Sequence, residues 1–208
     1  MPLQNRVSPL GTIESSPARG TLMGNRGVLH NSKKEVQHLF RNKGWITCLL
    51  EFKGRQRELM SAGFYTELFF LDEVTAFAAG HRPCAECRRK RYNEFRDVWS
   101  RVNDPRIEKP VRAPQMDGVL HEEGLHGDQK VTWRSPISDL PHETMFSFDG
   151  VSYAICNQRV LRWAFGGYSV VEPEKLPDTV DVLTPKSVVR IVESGFRPQF
   201  HSSADSSD

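Results

Sequence analysis

The most informative segment of the chain is Gly80-His81-Arg82-Pro83-Cys84-Ala85-Glu86-Cys87-Arg88-Arg89. Two cysteines at this spacing can bring their sulfurs to one tetrahedral metal ion, form one redox-active disulfide, or stay as inert thiols. A redox pair normally follows a strand of a βαβ unit, whereas the sequence here predicts a preceding helix that ends at Gly80. Of the three interpretations, this context favours a zinc site, and the nearby arginines would help to deprotonate both sulfurs.

Helices are predicted on both sides of the cysteine pair. Asp72 suits the N-cap of a short helix that stops before Gly80, where a glycine commonly ends a helix. Pro83 suits the first turn of a second helix, which is predicted to run to about Val102. The apolar residues of this second helix recur at helical spacing and predict one buried face, formed by Tyr92, Phe95, Val98 and Trp99.

Upstream of the helices, the sequence pattern changes to turns and alternation. Residues 1–27 are rich in Gly, Pro, Ser and Arg and are predicted to form an arm with tight turns. A short helix is predicted to begin at Ser32 and to end at Gly44. Residues 45–52 and 64–70 are predicted strands.

The second half of the chain is predicted to be β-rich with one late helix. Residues 151–156 and 159–165 predict a hairpin that turns at Asn157-Gln158. A helix is predicted from Pro185 to Gly195, because proline favours the first helical turn and glycine the end. Residues 202–208 are predicted to be a disordered tail.

Charge and composition narrow the class of protein. Residues 1–112 carry 20 Lys and Arg against 12 Asp and Glu, whereas residues 113–208 carry 8 against 14. This asymmetry is typical of a protein whose first half faces a polyanion, although unrelated solvated helices would give the same count. The sequence contains no apolar run of the ~20 residues that cross a bilayer. With four cysteines and no apolar leader, it predicts a cytoplasmic protein without a disulfide framework.

Residues 69–88 resemble the zinc-binding N-terminal domain of the Ada DNA repair protein. In both, a Phe-rich strand, an alanine-rich helix and an Arg-Pro-Cys-x-x-Cys motif occur in the same order. The resemblance implies that Cys84 and Cys87 bind zinc in a module that touches DNA. The other two ligands of that family form an upstream Cys-x-x-x-Cys, but residues 54–58 here contain no cysteine. The self-methylating repair activity of the family is therefore not expected.

A complete zinc site needs further ligands from this chain. Cys48 is the only cysteine upstream of the pair, and His30 follows a glycine-rich turn that could bring it to the site. The alternatives are a buried small apolar residue for Cys48 and an ordinary lone histidine for His30. The predicted ligand set is Cys48, Cys84, Cys87 and His30.

Basic residues near the cysteines predict a nucleic-acid surface, because guanidinium groups match phosphate oxygens. A solvated helix face would account for them equally well. The candidate phosphate contacts are Arg82, Arg88, Arg89, Lys90, Arg26, Arg55 and Arg57.

The sequence therefore predicts an α+β fold made of an arm (1–27), an Ada-like zinc module (28–102), a β-rich region with one late helix (115–201) and a tail. The expected function is zinc-dependent binding of nucleic acid, most naturally DNA, in repair or processing. A metal-dependent nuclease or hydrolase and a protein-interaction module remain alternatives. The sequence contains no complete catalytic signature and designates no catalytic residue.

Overall fold

The computed structural model describes residues 1–55, 58–106, 109–172 and 176–205, which form an α+β fold around two six-stranded sheets. The first sheet has the spatial order β2-β1-β5-β3-β4-β6. Its strands are β1 (Gln4–Val7), β2 (Ile13–Ser15), β3 (Leu22–Asn25), β4 (Ile46–Cys48), β5 (Leu68–Phe70) and β6 (Arg82–Pro83). β1 runs parallel to β5 and β4 parallel to β6, whereas the other neighbours are antiparallel.

The second sheet is antiparallel throughout and has the order β13-β12-β11-β10-β14-β9. A two-stranded ribbon, β7 (Leu125–His126) and β8 (Gln129–Lys130), precedes it. The strands of the second sheet are β9 (Trp133–Pro136), β10 (Met145–Phe148), β11 (Val151–Cys156), β12 (Arg159–Ala164), β13 (Gly167–Val170) and β14 (Thr179–Val182). β11 and β12 form the predicted hairpin, with Cys156 opposite Arg159.

Four α-helices occur in the described part of the chain: α1 (Glu73–Ala78), α2 (Arg89–Asn103), α3 (Ala113–Gly124) and α4 (Lys186–Glu193). Among the described residues, none of the helices combines the length and the apolar character needed to cross a membrane.

Helix α1 occupies the centre of the molecule, and all six of its residues are buried. The predicted N-cap is confirmed, because the Asp72 carboxylate accepts a hydrogen bond from the Thr75 N–H at 2.8 Å. Val74 and Ala78 pack with side chains of the second sheet, and Ala76 packs with those of the first. The remaining apolar residue, Phe77, packs against α2. One short helix therefore joins three parts of the hydrophobic core.

Helix α2 packs its apolar face against α3 and α4. The predicted stripe is confirmed, since its buried residues are Tyr92, Phe95, Val98 and Trp99. They share one cluster with Met116 and Leu120 of α3 and with the buried face of α4. Burying each large apolar side chain stabilises the fold by roughly 1.5–3 kcal/mol. This cluster fixes the position of α2, the helix that directly follows the cysteine motif.

The first 27 residues are part of the first sheet rather than a separate arm. They supply β1, β2 and β3, and Val7 and Ile13 are buried in its core. The glycines that suggested loose turns allow close packing instead. A Cβ on Gly24 would lie 2.2 Å from the Ile46 carbonyl oxygen, so glycine lets β3 approach β4.

The helix predicted from Ser32 does not form. The Asn31 side chain accepts hydrogen bonds from the N–H groups of Lys33 at 2.9 Å and Glu35 at 3.1 Å, which closes a turn. Asparagine side chains compete with a helix in this way. The predicted strands are also shorter than expected, because β4 ends at Cys48 and β5 begins only at Leu68.

Two further boundaries differ from the predictions. Pro83 lies in β6 rather than in the first turn of α2, because residues 82–83 pair with β4 before the chain turns into the helix. The chain from Ser202 to Ala204 forms a 3-10 turn with Ala204 buried, so this part of the predicted disordered tail is ordered. Residues 206–208 of that tail lie outside the described residues.

Candidate metal centre

The parallel pairing of β4 with β6 brings Cys48 and Cys84 together. In this ladder the Arg82 N–H donates to the Trp45 carbonyl at 3.1 Å, and the Cys84 N–H donates to the Thr47 carbonyl at 2.9 Å. Because the two strands run in the same direction, Cys48 at the end of β4 and Cys84 directly after β6 lie at the same end of the pair. A long-range strand contact thus assembles the site from distant parts of the sequence.

The turn between β6 and α2 positions Cys87 beside the other two. The Arg88 N–H donates to the Cys84 carbonyl at 3.2 Å, and the Glu86 N–H donates to the Cys84 Sγ at 3.4 Å. The sulfurs of Cys48, Cys84 and Cys87 all lie within 4.8 Å of one another. Cys48 and Cys84 are each 8% exposed, whereas Cys87 is half-buried. These three cysteines lie close together and could hold a metal ion.

Hydrogen bonds among the three sulfurs give them different pKa values. The hydrogen bond with Cys48 lowers the pKa of Cys84 to about 5, and backbone N–H groups of the motif add to this effect against burial. The hydrogen bond with Cys84, together with burial, raises the pKa of Cys48. Burial and the neighbouring Cys84 charge raise the pKa of Cys87. The three sulfurs therefore compete for protons, and a bound cation would displace the protons that remain on them.

The structure does not bring His30 to the cysteines. Its Nδ1 lies 2.6 Å from Thr66 Oγ1, and its Nε2 lies 3.3 Å from the Ser61 carbonyl oxygen. In the described ranges, the group of Cys, His, Asp and Glu donors at this site contains only the three cysteines. Both ring nitrogens of His30 are engaged by the segment that ends in β5, which explains its separation from the sulfurs.

Arg26 is buried in the core and does not face solvent as a phosphate contact would. Its guanidinium lies over the Trp45 ring at 4.1 Å, and its Nε–H donates to His81 Nε2 at 3.2 Å. Burial lowers the pKa of Arg26 to about 9. His81 is fully buried, and burial lowers its pKa well below the usual value. Arg26 therefore packs with Trp45, the residue before β4, and with His81, the residue before β6.

Two other predicted phosphate contacts form internal ion pairs. Arg82 donates to the Asp117 carboxylate from Nε at 2.6 Å and from a terminal nitrogen at 3.0 Å. Arg88 donates to Glu73 at 2.6 Å, and the Glu73 side chain has no exposed surface. Bidentate and buried pairs of this kind fix geometry rather than offer free charge. Arg26, Arg82 and Arg88 therefore hold the site together instead of forming a surface.

Four cations remain exposed around Cys87, and we call them the cationic rim: Lys53, Arg55, Arg89 and Lys90. Arg89 and Lys90 open α2 directly after the motif. Arg55 pairs with Glu86 at 2.6 Å, and the charge of Lys53 contributes to lowering the pKa of Glu86. Arg57, the remaining predicted contact, lies outside the described residues.

Sequence reasoning missed the acidic partners of the site. Glu73 and Asp117 lie on α1 and α3, and each neutralises an arginine next to the cysteine motif. No local pattern marks them, because the pairing depends on how the helices pack. Burial of an arginine requires a partner, so Glu73, an acidic residue among the apolar residues of the helix predicted after Asp72, was an available signal, whereas Asp117 lies in a helix that was not predicted.

Comparisons with family models, curated proteins and solved structures give no match to this chain. The resemblance of residues 69–88 to the Ada zinc domain therefore stays a prediction. The functional argument depends on the geometry of the three sulfurs and on the charges around them.

Proposed function

We propose that this protein binds one zinc ion through Cys48, Cys84 and Cys87. The observation that supports this is the convergence of three sulfurs within 4.8 Å from β4 and from the turn before α2. Zinc–sulfur bonds of about 2.3 Å in a tetrahedron place sulfurs about 3.8 Å apart, so a contraction of at most about 1 Å is needed. The ion would tie the edge of the first sheet to the start of α2.

Zinc suits this donor set better than a harder ion does. Thiolates select soft or borderline metals, whereas magnesium and calcium prefer oxygen donors. A third sulfur also distinguishes the site from a simple redox dithiol, which needs only two. Copper(I) is the other metal that favours thiolates, so the test identifies the element as well as the stoichiometry.

Elemental analysis of protein purified without chelators or metal-affinity resins tests the proposal. About one zinc per chain is expected, with loss of the metal in Cys48→Ser, Cys84→Ser and Cys87→Ser. The matched control is Cys156→Ala, since Cys156 is a buried free cysteine in the second sheet. Metal retained in all three serine variants, or metal in none of the proteins, would contradict the site.

We further propose that the cationic rim contacts nucleic-acid phosphates, which is the second candidate function. The supporting observation is that four exposed cations cluster beside the cysteine motif. A bound metal would fix the positions of these cations relative to one another. Because Arg26 and Arg82 are buried and Arg88 is paired with Glu73, the expected footprint is smaller than the sequence suggests. The metal-dependent nuclease or hydrolase stays a prediction, since in the described ranges the site group holds only thiols and no candidate catalytic acid or base.

Salt dependence of binding to duplex and single-stranded DNA and to RNA tests the second candidate. With two to four phosphate contacts, log K is expected to fall with log salt with a slope of roughly −2 to −4 on duplex DNA. Arg89→Gln with Lys90→Gln should flatten this slope, whereas Arg134→Gln, an exposed change on the second sheet, should not. Binding that ignores salt, or no binding to any of the three, would reject it.

A further inference from the structure

The three-cysteine centre leaves one ligand position of a tetrahedral ion to be filled. Structural zinc sites are normally closed by four protein ligands, whereas reactive sites use three and take the fourth from solution. Within the part of the chain that the structure describes, no fourth Cys, His, Asp or Glu donor joins the three sulfurs. The three sulfurs therefore leave the fourth position to a ligand from outside this group of residues.

The exposure of the cysteines shows where such a ligand would enter. Cys48 and Cys84 are buried behind the strand ladder, but Cys87 is only half-buried. The Leu49 N–H contributes a hydrogen bond to the Cys87 sulfur, so the chain just after β4 borders this side of the site. Leu49 and Leu50 are 40% and 49% exposed. The entrance on the Cys87 side therefore combines apolar surface with the cationic rim.

The charge around the entrance favours an anionic ligand. Arg89 and Lys90 are exposed in the first turn of α2, whose N-terminal dipole adds positive potential. Arg55 and Lys53 lie on the other side, next to Glu86. Glu86 is an acidic group in direct contact with this rim, and its charge is balanced by Arg55. Three thiolates on a divalent ion carry a net charge of −1, and the rim would offset the further charge of an anionic fourth ligand.

We propose that the fourth ligand is the thiolate of a small molecule that also carries a carboxylate. This inference rests on the proposed zinc site. Three thiolates already donate strongly to the ion, which weakens its attraction for hard oxygen ligands and leaves a soft sulfur ligand as the better match. When the thiol binds, its sulfur forms a bond to the metal, a water molecule leaves the metal, and the thiol proton passes to solvent. The carboxylate of the ligand pairs with the cationic rim.

Cobalt(II) substitution provides the test, because the colour of the ion reports the number of sulfur ligands. Protein loaded with cobalt(II) is titrated with mercaptoacetate, which carries a carboxylate, and with 2-mercaptoethanol, which does not. Both thiols should increase the thiolate-to-cobalt charge-transfer absorption. Mercaptoacetate should bind about five- to twentyfold more tightly, as expected for one or two exposed ion pairs. Raising the salt concentration should reduce this preference, since exposed charges are screened.

Variants of the rim separate charge recognition from metal binding. Arg89→Gln with Lys90→Gln should keep the cobalt spectrum but bring the two thiols to similar affinities. Arg134→Gln, on the second sheet, should keep the full preference. If neither thiol changes the spectrum, the inference is overturned while the metal site stands. If cobalt gives no charge-transfer band at all, both the inference and the proposed zinc site are overturned. Equal affinities in the unmodified protein would reject the carboxylate.

Discussion

At the scale of single residues, Lys130 in β8 is a base in an unfavourable environment. Its Nζ donates to the Ala78 carbonyl at 2.5 Å, at the end of the central helix α1. Burial, with a smaller contribution from the Arg26 charge, lowers the pKa of Lys130 to about 7 from its usual 10.5. Above about pH 7 the folded protein therefore holds Lys130 largely neutral, whereas an unfolded chain keeps this lysine protonated up to about pH 10.

The Lys130 shift predicts how stability changes with pH. Between about pH 7 and pH 10 the unfolded state binds more protons at this residue, so its contribution makes the folded state more stable as pH rises. Urea unfolding of Lys130→Met at several pH values should show a smaller increase over this window than the unmodified protein does. Identical pH profiles for the two proteins would contradict the shift.

At the scale of elements, alanine substitutions at two glycines should change the stability of the protein in opposite directions. A Cβ on Gly24 in β3 would meet backbone of β4 at 2.2 Å, whereas a Cβ on Gly118 in α3 would meet nothing within 4 Å. Gly24→Ala should therefore destabilise the protein by about 2 kcal/mol or more, because backbone cannot move aside as a side chain can. Gly118→Ala should stabilise it by about 0.5–1 kcal/mol, since alanine favours a helix interior. Chemical denaturation of both variants measures the two effects side by side.

The junction of α1 with α2 depends on one buried acid. The Glu73 carboxylate accepts hydrogen bonds from Arg88 at 2.6 Å, from Arg91 at 2.7 Å and from the Gln199 N–H at 3.1 Å. Burial raises its pKa, but the pairs with Arg91 and Arg88 outweigh this effect and hold the pKa of Glu73 below its usual value. Its stabilising contribution is therefore complete above about pH 4.5 and is lost as the pH falls further.

Glu73→Gln should cost about 3–5 kcal/mol of unfolding free energy, because it leaves two partly buried arginines without their counter-charge. The matched control is Glu94→Gln, which removes an exposed partner of Arg91 at 2.9 Å and should change stability by less than about 1 kcal/mol. Equal losses in the two variants would show that burial of Glu73 does not set the effect.

The elements that the sequence predicts well are those with local patterns. The stripe on α2, the N-cap Asp72 and the β11–β12 hairpin each follow from spacing or turn chemistry within about 15 residues. Strand β6 is two residues long and exists only because β4 pairs with it, so no local pattern reveals it. The site shows the same division, because the C-x-x-C pair is legible in the sequence while the approach of Cys48 depends on that pairing.

At the scale of the whole molecule, a bound metal would connect the first sheet to the helical layer. A chelator should lower the melting temperature by about 5 °C or more, given that 1 kcal/mol corresponds to about 2–4 °C in a chain of this size. The Cys156→Ala protein should respond to chelator as the unmodified protein does, whereas Cys84→Ser should not respond. Differential scanning calorimetry with and without chelator measures this. A melting temperature that chelator leaves unchanged in the metal-loaded protein would contradict a stabilising metal.

The central position of α1 has a consequence for how the molecule opens. Its six residues are buried, with the first sheet, the second sheet and α2 each packed on a different side. No single layer can separate from the rest without exposing part of this helix, so its backbone amides should exchange with deuterium only when the entire fold comes apart. The slowest amides of α1 then report the global free energy of unfolding. If one layer opens locally, the amides of that layer should exchange faster than those of α1.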